Sequence, residues 1–196
     1  MELTSTTLNP ILLAKAGEER SSKAAIDSAA ADLARRAAAG SLESFEELAI
    51  QFEPRIYGFL ARHIGNAHDA QDLTQETFVR AWRNIARFDP TRDFATWLFV
   101  IARRAAANHF RGRRIHDELS EDFAVETSES TADAEGLWRA AKNLKPSYYE
   151  ALWLRYGESF SVAQTARVMG LTTIHVKVIL HRARKELARR LDRENL

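Results

Sequence analysis

Asp69-Ala-Gln-Asp-Leu-Thr-Gln-Glu-Thr-Phe-Val-Arg-Ala-Trp-Arg-Asn-Ile85 leads through Asp89-Pro90 into Phe94-Ala-Thr-Trp-Leu-Phe-Val-Ile-Ala-Arg-Arg104 and a basic run to Arg114. At the helical repeat of about 100° per residue, Ala70, Leu73, Phe78, Ala81, Trp82 and Ile85 share one half of the first segment. Asp69, Asp72 and Glu76 share the other, with Arg80 and Arg83 behind them. The pattern predicts an amphipathic helix with a carboxylate face. That face is open to two readings, a solvated surface with pairs such as Glu76–Arg80 or a surface for a partner.

The second segment predicts a helix of different character. Asp93 can cap it. Phe94, Leu98, Ile101 and Ala105 form its core stripe and Trp97 borders that stripe. Arg103, Arg104, Asn108, Arg111 and Arg114 fall within roughly 140° of one another on the same projection. Arginines with an interposed asparagine suit a phosphate track with occasional base contact. The aromatics upstream border a place where an unstacked base can sit, although most of their surface reads as core.

Outward from this pair, the composition is that of a helical protein. Eight glycines and four prolines in 196 residues are few, and 45% of the chain is hydrophobic. There is no cysteine, which removes disulfides and thiolate metal sites. No apolar run nears the ~18 residues of a membrane span and no secretory leader is recognisable, so a cytoplasmic protein without membrane insertion is expected. The net charge of +1 conceals a strong segregation. Residues 35–115 hold 13 basic and 9 acidic side chains, residues 116–135 hold none and 8, and residues 136–196 hold 12 and 5. Two basic blocks flank a purely acidic segment, which points to polyanion binding at two places.

Four segments are expected on these grounds. Residues 1–37 read as an N-terminal extension, weakly helical from Lys23 and ordered on contact with a partner. Residues 38–114 form a helical domain that opens with Ser41 as N-cap and Ser44 and Glu47 beyond it, with Pro54 a candidate division or kink and Gly65-Asn66 a break. Residues 115–135 read as a flexible linker. Some twenty residues have an r.m.s. span of roughly 25 Å and a reach beyond ~60 Å. Residues 136–196 form a second domain. There Ser147 and Glu150 suggest a capping box, Ser161 and Gln164 another, Gly170 a left-handed helix end, and Thr172 the cap of a long final helix. Ala166 and Gly170, with Val176 and Ile179 following, fit a helix-turn-helix.

These motifs resemble the extracytoplasmic-function group of bacterial RNA polymerase sigma factors. The resemblance covers roughly residues 38–191 and is most specific over 69–82, 94–103 and Leu180-His-Arg-Ala-Arg-Lys-Glu-Leu187. It implies an all-α fold of two small helical domains, region 2 and region 4, joined by the acidic linker. It also implies an alternative sigma factor that binds core polymerase and directs −10 melting. Asp69, Asp72, Gln75 and Glu76 would then dock on the β′ clamp helices, with the β subunit as a further contact. Arg87, Asp89, Arg92, Trp97, Arg103, Asn108, Arg111 and Arg114 would hold the −10 strand. Thr172, Thr173, His175, Lys177, Val178, His181, Arg182 and Lys185 would meet the −35 duplex. An inhibitory anti-sigma factor would be a further partner. One stretch departs from the family: Ile174-His175-Val176-Lys177-Val178-Ile179-Leu180 stands where Gly-Thr-Val-Lys-Ser-Arg-Leu is usual, so polar base readout there is not carried over. The outward apolar Ile174 and Val178, one turn apart, are open to two readings, contact with thymine methyls or with a protein partner such as an anti-sigma factor.

No cofactor, metal or catalytic residue is expected. His63 and His68 with Asp69 and Asp72 match no metalloprotease spacing, and His63 reads as a helix-surface or terminal residue. No phosphate-cradling glycine loop or nucleophile elbow occurs. A stand-alone helix-turn-helix regulator is the competing reading; it leaves the 69–114 constellation without a role.

Overall fold

A computed structural model describes residues 23, 26, 27, 29–116, 138 and 140–194, with side chains described to 111 in the third helix and to 191 in the last. The described residues contain helices and no strand. The first long helix, α1 (Leu42–Ile64), starts where Ser41 accepts the Ser44 N–H and ends at Gly65 in the left-handed region. It carries Pro54 inside without being divided. Asn66 accepts from the N–H groups of His68 and Asp69 and so begins α2 (Ala67–Asn84). A short 3-10 turn, Ile85–Arg87, leads to α3 (Phe94–His116), whose first turn is held by the Asp93 carboxylate accepting from the Thr96 N–H at 2.6 Å.

Helices α1, α2 and α3 pack against one another around Leu48, Phe52, Ile56, Phe59, Leu60, Leu98 and Phe99. Two threonines are admitted to the core of α2 because each hydroxyl is satisfied within the helix. Thr74 donates to the Ala70 carbonyl and Thr77 to the Leu73 carbonyl, both at 2.7 Å.

Residues 29–38 are helical, and Ala30, Leu33, Ala34 and Ala37 are buried in the same core. The end of the expected N-terminal extension is thus packed structure. Alanine contributes little to an apolar stripe in sequence, yet its small side chain lets one helix lie close on another. Residues 1–22 and the acidic linker from 117 lie outside the described residues; α3 itself runs past the expected domain boundary to His116.

The C-terminal half comprises α4 (Pro146–Leu152), continued by a π-helical turn over Trp153–Gly157, then α5 (Val162–Met169) and α6 (Thr173–Glu194). Ser161 and Gln164 form the expected reciprocal capping box. Gly170 ends α5 at φ +66°, and Thr172 accepts the His175 N–H at 3.2 Å to open α6. The capping box expected from Ser147 and Glu150 does not form. Helix α4 opens at Lys145 without a side-chain cap, and Glu150 is buried and turned toward α3.

Candidate nucleic-acid interface

Three exposed surfaces gather the candidate residues. On α2, Asp72, Gln75 and Glu76 project from the side opposite Ala70, Leu73, Thr74 and Ala81. Asp72 faces His68 at 3.2 Å and Glu76 accepts from Arg80 at 2.5 Å, both within one helical turn. These pairs are solvent-exposed, so each contributes little stability. Asp69 is more covered and approaches His109 of α3 at 3.6 Å, which ties the acidic helix to the basic one.

The second surface is the 87–93 loop with the outer side of α3. Asp89 organises the loop: its carboxylate accepts from the Thr91 N–H and hydroxyl at 3.0 and 2.7 Å and from Arg92 Nε at 3.1 Å. The Thr91 hydroxyl and N–H, with Arg92, hold the Asp89 carboxyl below the usual carboxylate range. Asp89 therefore shapes the loop and is already engaged. Arg87 and Arg92 are exposed. Phe88 and Phe94 are buried, with ring centroids 5.6 Å apart, and Trp97 lies 5.1 Å from Phe88 at the edge of that cluster. Of the three aromatics only Trp97 offers a partly open face.

Along α3, Arg104, Asn108 and Arg111 are exposed on one side, and an Arg111 guanidinium N–H donates to the Asn108 side-chain oxygen. Arg103 departs from this track. It is half-buried and its Nε donates to Glu150 of α4 at 2.6 Å. The side chain of Arg114 lies outside the described residues.

The third surface is the outer ridge of α6. Val176, Ile179, Leu180 and Ala183 are buried beneath it, against α4 and α5. Thr172, Thr173, His175, Lys177, Val178, His181, Arg182 and Lys185 are all exposed. Ala166 is 3% exposed, as a close crossing of α5 and α6 requires. Arg182, Lys185 and Arg189 line a shallow depression with Tyr148 and Glu186.

What pattern reading did not find is the contact between the halves. Arg55, on α1, donates through Nε to Glu158 at 2.9 Å and through Nη1 to Asp27 at 2.6 Å. Burial opposes the guanidinium charge, but Glu158 and Asp27 hold its pKa above the ordinary value. Lys23 also approaches Glu158 at 3.6 Å and donates to the Gly157 carbonyl. Phe99 meets Phe160 edge-on at 5.1 Å, and the Arg62 guanidinium lies 3.9 Å above the Trp153 ring. His63, expected at a helix surface or terminus, lies in the last turn of α1 but is largely covered; it donates from Nδ1 to the Phe59 carbonyl at 2.8 Å and turns Nε2 toward Glu150 at 3.9 Å. One sign of this was present in sequence: an arginine at 55 falls among Phe52, Ile56 and Phe59, where an unpaired charge is costly.

Set beside known proteins, residues 48–115 match the family model Sigma-70 region 2 and residues 134–187 match Sigma-70, region 4. The chain is 37% identical over 171 residues to the ECF RNA polymerase sigma factor BldN of Streptomyces coelicolor, covering 82% of this chain and 65% of that relative's length. It is 32% identical to the RNA polymerase sigma factor CarQ of Myxococcus xanthus, covering 76% of this chain and 89% of the relative. Among solved structures it is similar to CnrH in complex with the cytosolic domain of CnrY, at 26% identity and a TM-score of 0.63 over 85% of this chain and 97% of that one. Its fold is also that of RpoE from Bartonella quintana, solved with the anti-sigma factor NepR, at 24% identity and a TM-score of 0.67 over 77% and 98% of the two chains.

Proposed function

Because the chain belongs to the extracytoplasmic-function sigma factors of bacterial RNA polymerase, we propose the following division of labour among its surfaces. The exposed acidic face of α2, with Asp69, Asp72, Gln75 and Glu76, docks on core polymerase. The 87–93 loop and the exposed residues of α3 hold an unpaired −10 strand, with Trp97 as the stacking face and Arg87, Arg92, Arg104, Asn108, Arg111 and Arg114 along the phosphates. The ridge of α6 sits in the major groove at −35. Asp89 acts by shaping the loop, since its oxygens are occupied. Arg103 joins the strand contacts only when released from Glu150. The chain carries out no bond-making step; it lowers the cost of opening DNA by capturing unstacked bases, as base-flipping enzymes do for chemistry. No described helix is long and apolar enough to cross a membrane, and a cytoplasmic location follows from the partner. An inhibitory anti-sigma factor, of the kind that holds the solved RpoE, is a further partner in this reading.

The observation that carries the reading is the separation of one exposed acidic face from two exposed basic ridges on different helices. A solitary regulator of the helix-turn-helix type would leave α2 and α3 unused. The test is reconstitution with core polymerase. The chain is expected to direct initiation from specific start sites, mapped by transcript sequencing, and to make the −10 thymines permanganate-reactive only when core is present. Asp72→Lys with Glu76→Lys is expected to abolish capture of core while leaving helical content intact. Strand opening by the free chain, or undiminished core binding by the doubly reversed variant, would sink the proposal.

A further inference from the structure

The outer ridge of α6 is not uniformly polar. Ile174 is 75% exposed and Val178 41% exposed, on a helix whose other outward residues near its start are Thr173, His175, Lys177 and His181. Positions 174, 177, 178 and 181 follow the i, i+3, i+4, i+7 spacing of one helical face, opposite the buried Val176, Ile179, Leu180 and Ala183. The two aliphatic side chains are therefore neighbours, one turn apart, at the crest of the ridge. Both are β-branched and stiff at χ1, so little side-chain freedom is lost when they are covered.

What covers them is decided by their surroundings. Lys177, Arg182, Arg184, Lys185 and Arg189 are exposed on the same helix, and Arg182, Lys185 and Arg189 border one depression. That is the charge pattern of a helix laid along a polyanion. In a major groove an aliphatic group has one favourable partner, because thymine alone among the four bases presents a methyl there. Opposite guanine, adenine or cytosine the same side chain would strip water from a donor or acceptor and return no hydrogen bond.

Resting on the sigma-factor reading above, we propose that Ile174 and Val178 are specificity-determining residues that read thymine 5-methyl groups in the −35 element. One helical turn advances about 5.4 Å. Base pairs advance about 3.4 Å. The two methyls accordingly lie on base pairs one or two steps apart. The polar discrimination expected of other residues at these positions is replaced by a count of methyls.

The test uses holoenzyme reconstituted from core polymerase and the full chain, and duplexes carrying the −35 element of a promoter mapped from its own transcripts. Each thymine is replaced in turn by deoxyuridine, which removes only the methyl. Affinity is expected to fall about fourfold per contacted methyl, the worth of one buried carbon, at two positions one or two base pairs apart. Ile174→Ala is expected to erase the penalty at one position and Val178→Ala at the other. Both residues are exposed, so both variants should keep the wild-type circular dichroism spectrum and melting temperature. The proposal is overturned if deoxyuridine is tolerated at every position, if the mapped element has no thymine, or if the alanine variants keep the full penalty. It is also overturned if those variants lose only the binding of an anti-sigma factor. Absence of binding to the unmodified duplex would instead remove the sigma reading itself, and this one with it.

Discussion

Arg55 brings a full charge among aromatic and aliphatic neighbours, and two carboxylates meet it there. Its partner Glu158 is only 2% exposed, so removing the guanidinium leaves a buried carboxylate with Lys23 at 3.6 Å and the more distant pull of Arg62. Breaking a buried pair on one side typically costs about 3–5 kcal/mol. Arg55→Met, which keeps the packing stem, is expected near the lower end because Lys23 compensates in part. Urea denaturation followed by tryptophan fluorescence measures this, and Glu158→Gln in the same chain should recover much of the loss. An unchanged midpoint in Arg55→Met would show that the triad contributes nothing net.

His63 makes a second residue-scale prediction, with a sign. Burial holds its imidazole below the ordinary pKa, against the pull of Glu150 and the backbone carbonyl of Phe59. Between that lowered value and the ordinary one of about 6.5, the unfolded chain takes up a proton that the folded chain refuses. Unfolding free energy therefore rises with pH across the window, and this contribution is lost as acidification proceeds through it. Comparing urea midpoints at pH 5.5 and 7.5, the drop on acidification should be smaller in His63→Asn than in the parent. An equal drop would exclude His63 as its source. Nothing near residue 63 in sequence foretold this burial, because Glu150 is far away along the chain. The same distance hid the Arg55–Glu158 pair, 103 positions apart.

At the scale of elements, two glycines separate two kinds of constraint. Gly170, at φ +66°, has open space where a Cβ would go. Its substitution by alanine should cost only the left-handed conformation, roughly 1–2 kcal/mol, and asparagine should cost less. Gly157 is different: a Cβ there would stand 2.8 Å from the Trp153 ring. Gly157→Ala must displace an indole that also meets Trp138 edge-on and lies under Arg62. Such overpacking costs about 1–3 kcal/mol. Thermal melts of Gly157→Ala and of Gly157→Ala with Trp153→Leu distinguish the mechanism, since the smaller side chain should relieve the clash. Legibility divides along the same line. The turn at Gly170 and the capping box at Ser161 are local, so a few residues specify them and they were readable. The pattern Ser147-x-x-Glu150 was equally readable and failed, because Arg103 offers Glu150 a charged partner that no local rule weighs. Ala30, Ala34 and Ala37 were passed over because alanine is as common on exposed helices as in close helix contacts. On the candidate site, the exposed ridge of α6 and the acidic face of α2 were legible as helical periodicity. The engagement of Arg103 was not, since it depends on which helix lies opposite.

At the scale of the whole molecule, the contact between halves conflicts geometrically with the proposed activity. Elements named −35 and −10 lie about 25 base pairs apart, ~85 Å along a duplex rising 3.4 Å per pair. The longest helix of the C-terminal half, α6, has 22 residues and spans only ~33 Å. With Arg103 hydrogen-bonded to Glu150 and Phe99 packed on Phe160, α3 and α6 cannot reach both elements. On the proposed reading, binding to polymerase and promoter parts the halves, exposing Phe160, now 1% exposed, and freeing Arg103 for the DNA contact proposed for it. A partner shifts such an equilibrium only by its differential affinity for the two arrangements. Weakening closure should therefore strengthen apparent binding to core. The absence of cysteine makes this directly measurable. Dyes on Glu46→Cys and Ala188→Cys, exposed positions on α1 and α6, should show high transfer efficiency in the free chain and a fall when core polymerase is added. Glu150→Gln, which removes the charge that holds Arg103, should lower the efficiency before core is added and raise core affinity severalfold. Constant efficiency on adding core, with binding verified independently, would mean that the halves stay together on the polymerase, and the proposed two-site grip on the promoter would then be geometrically impossible.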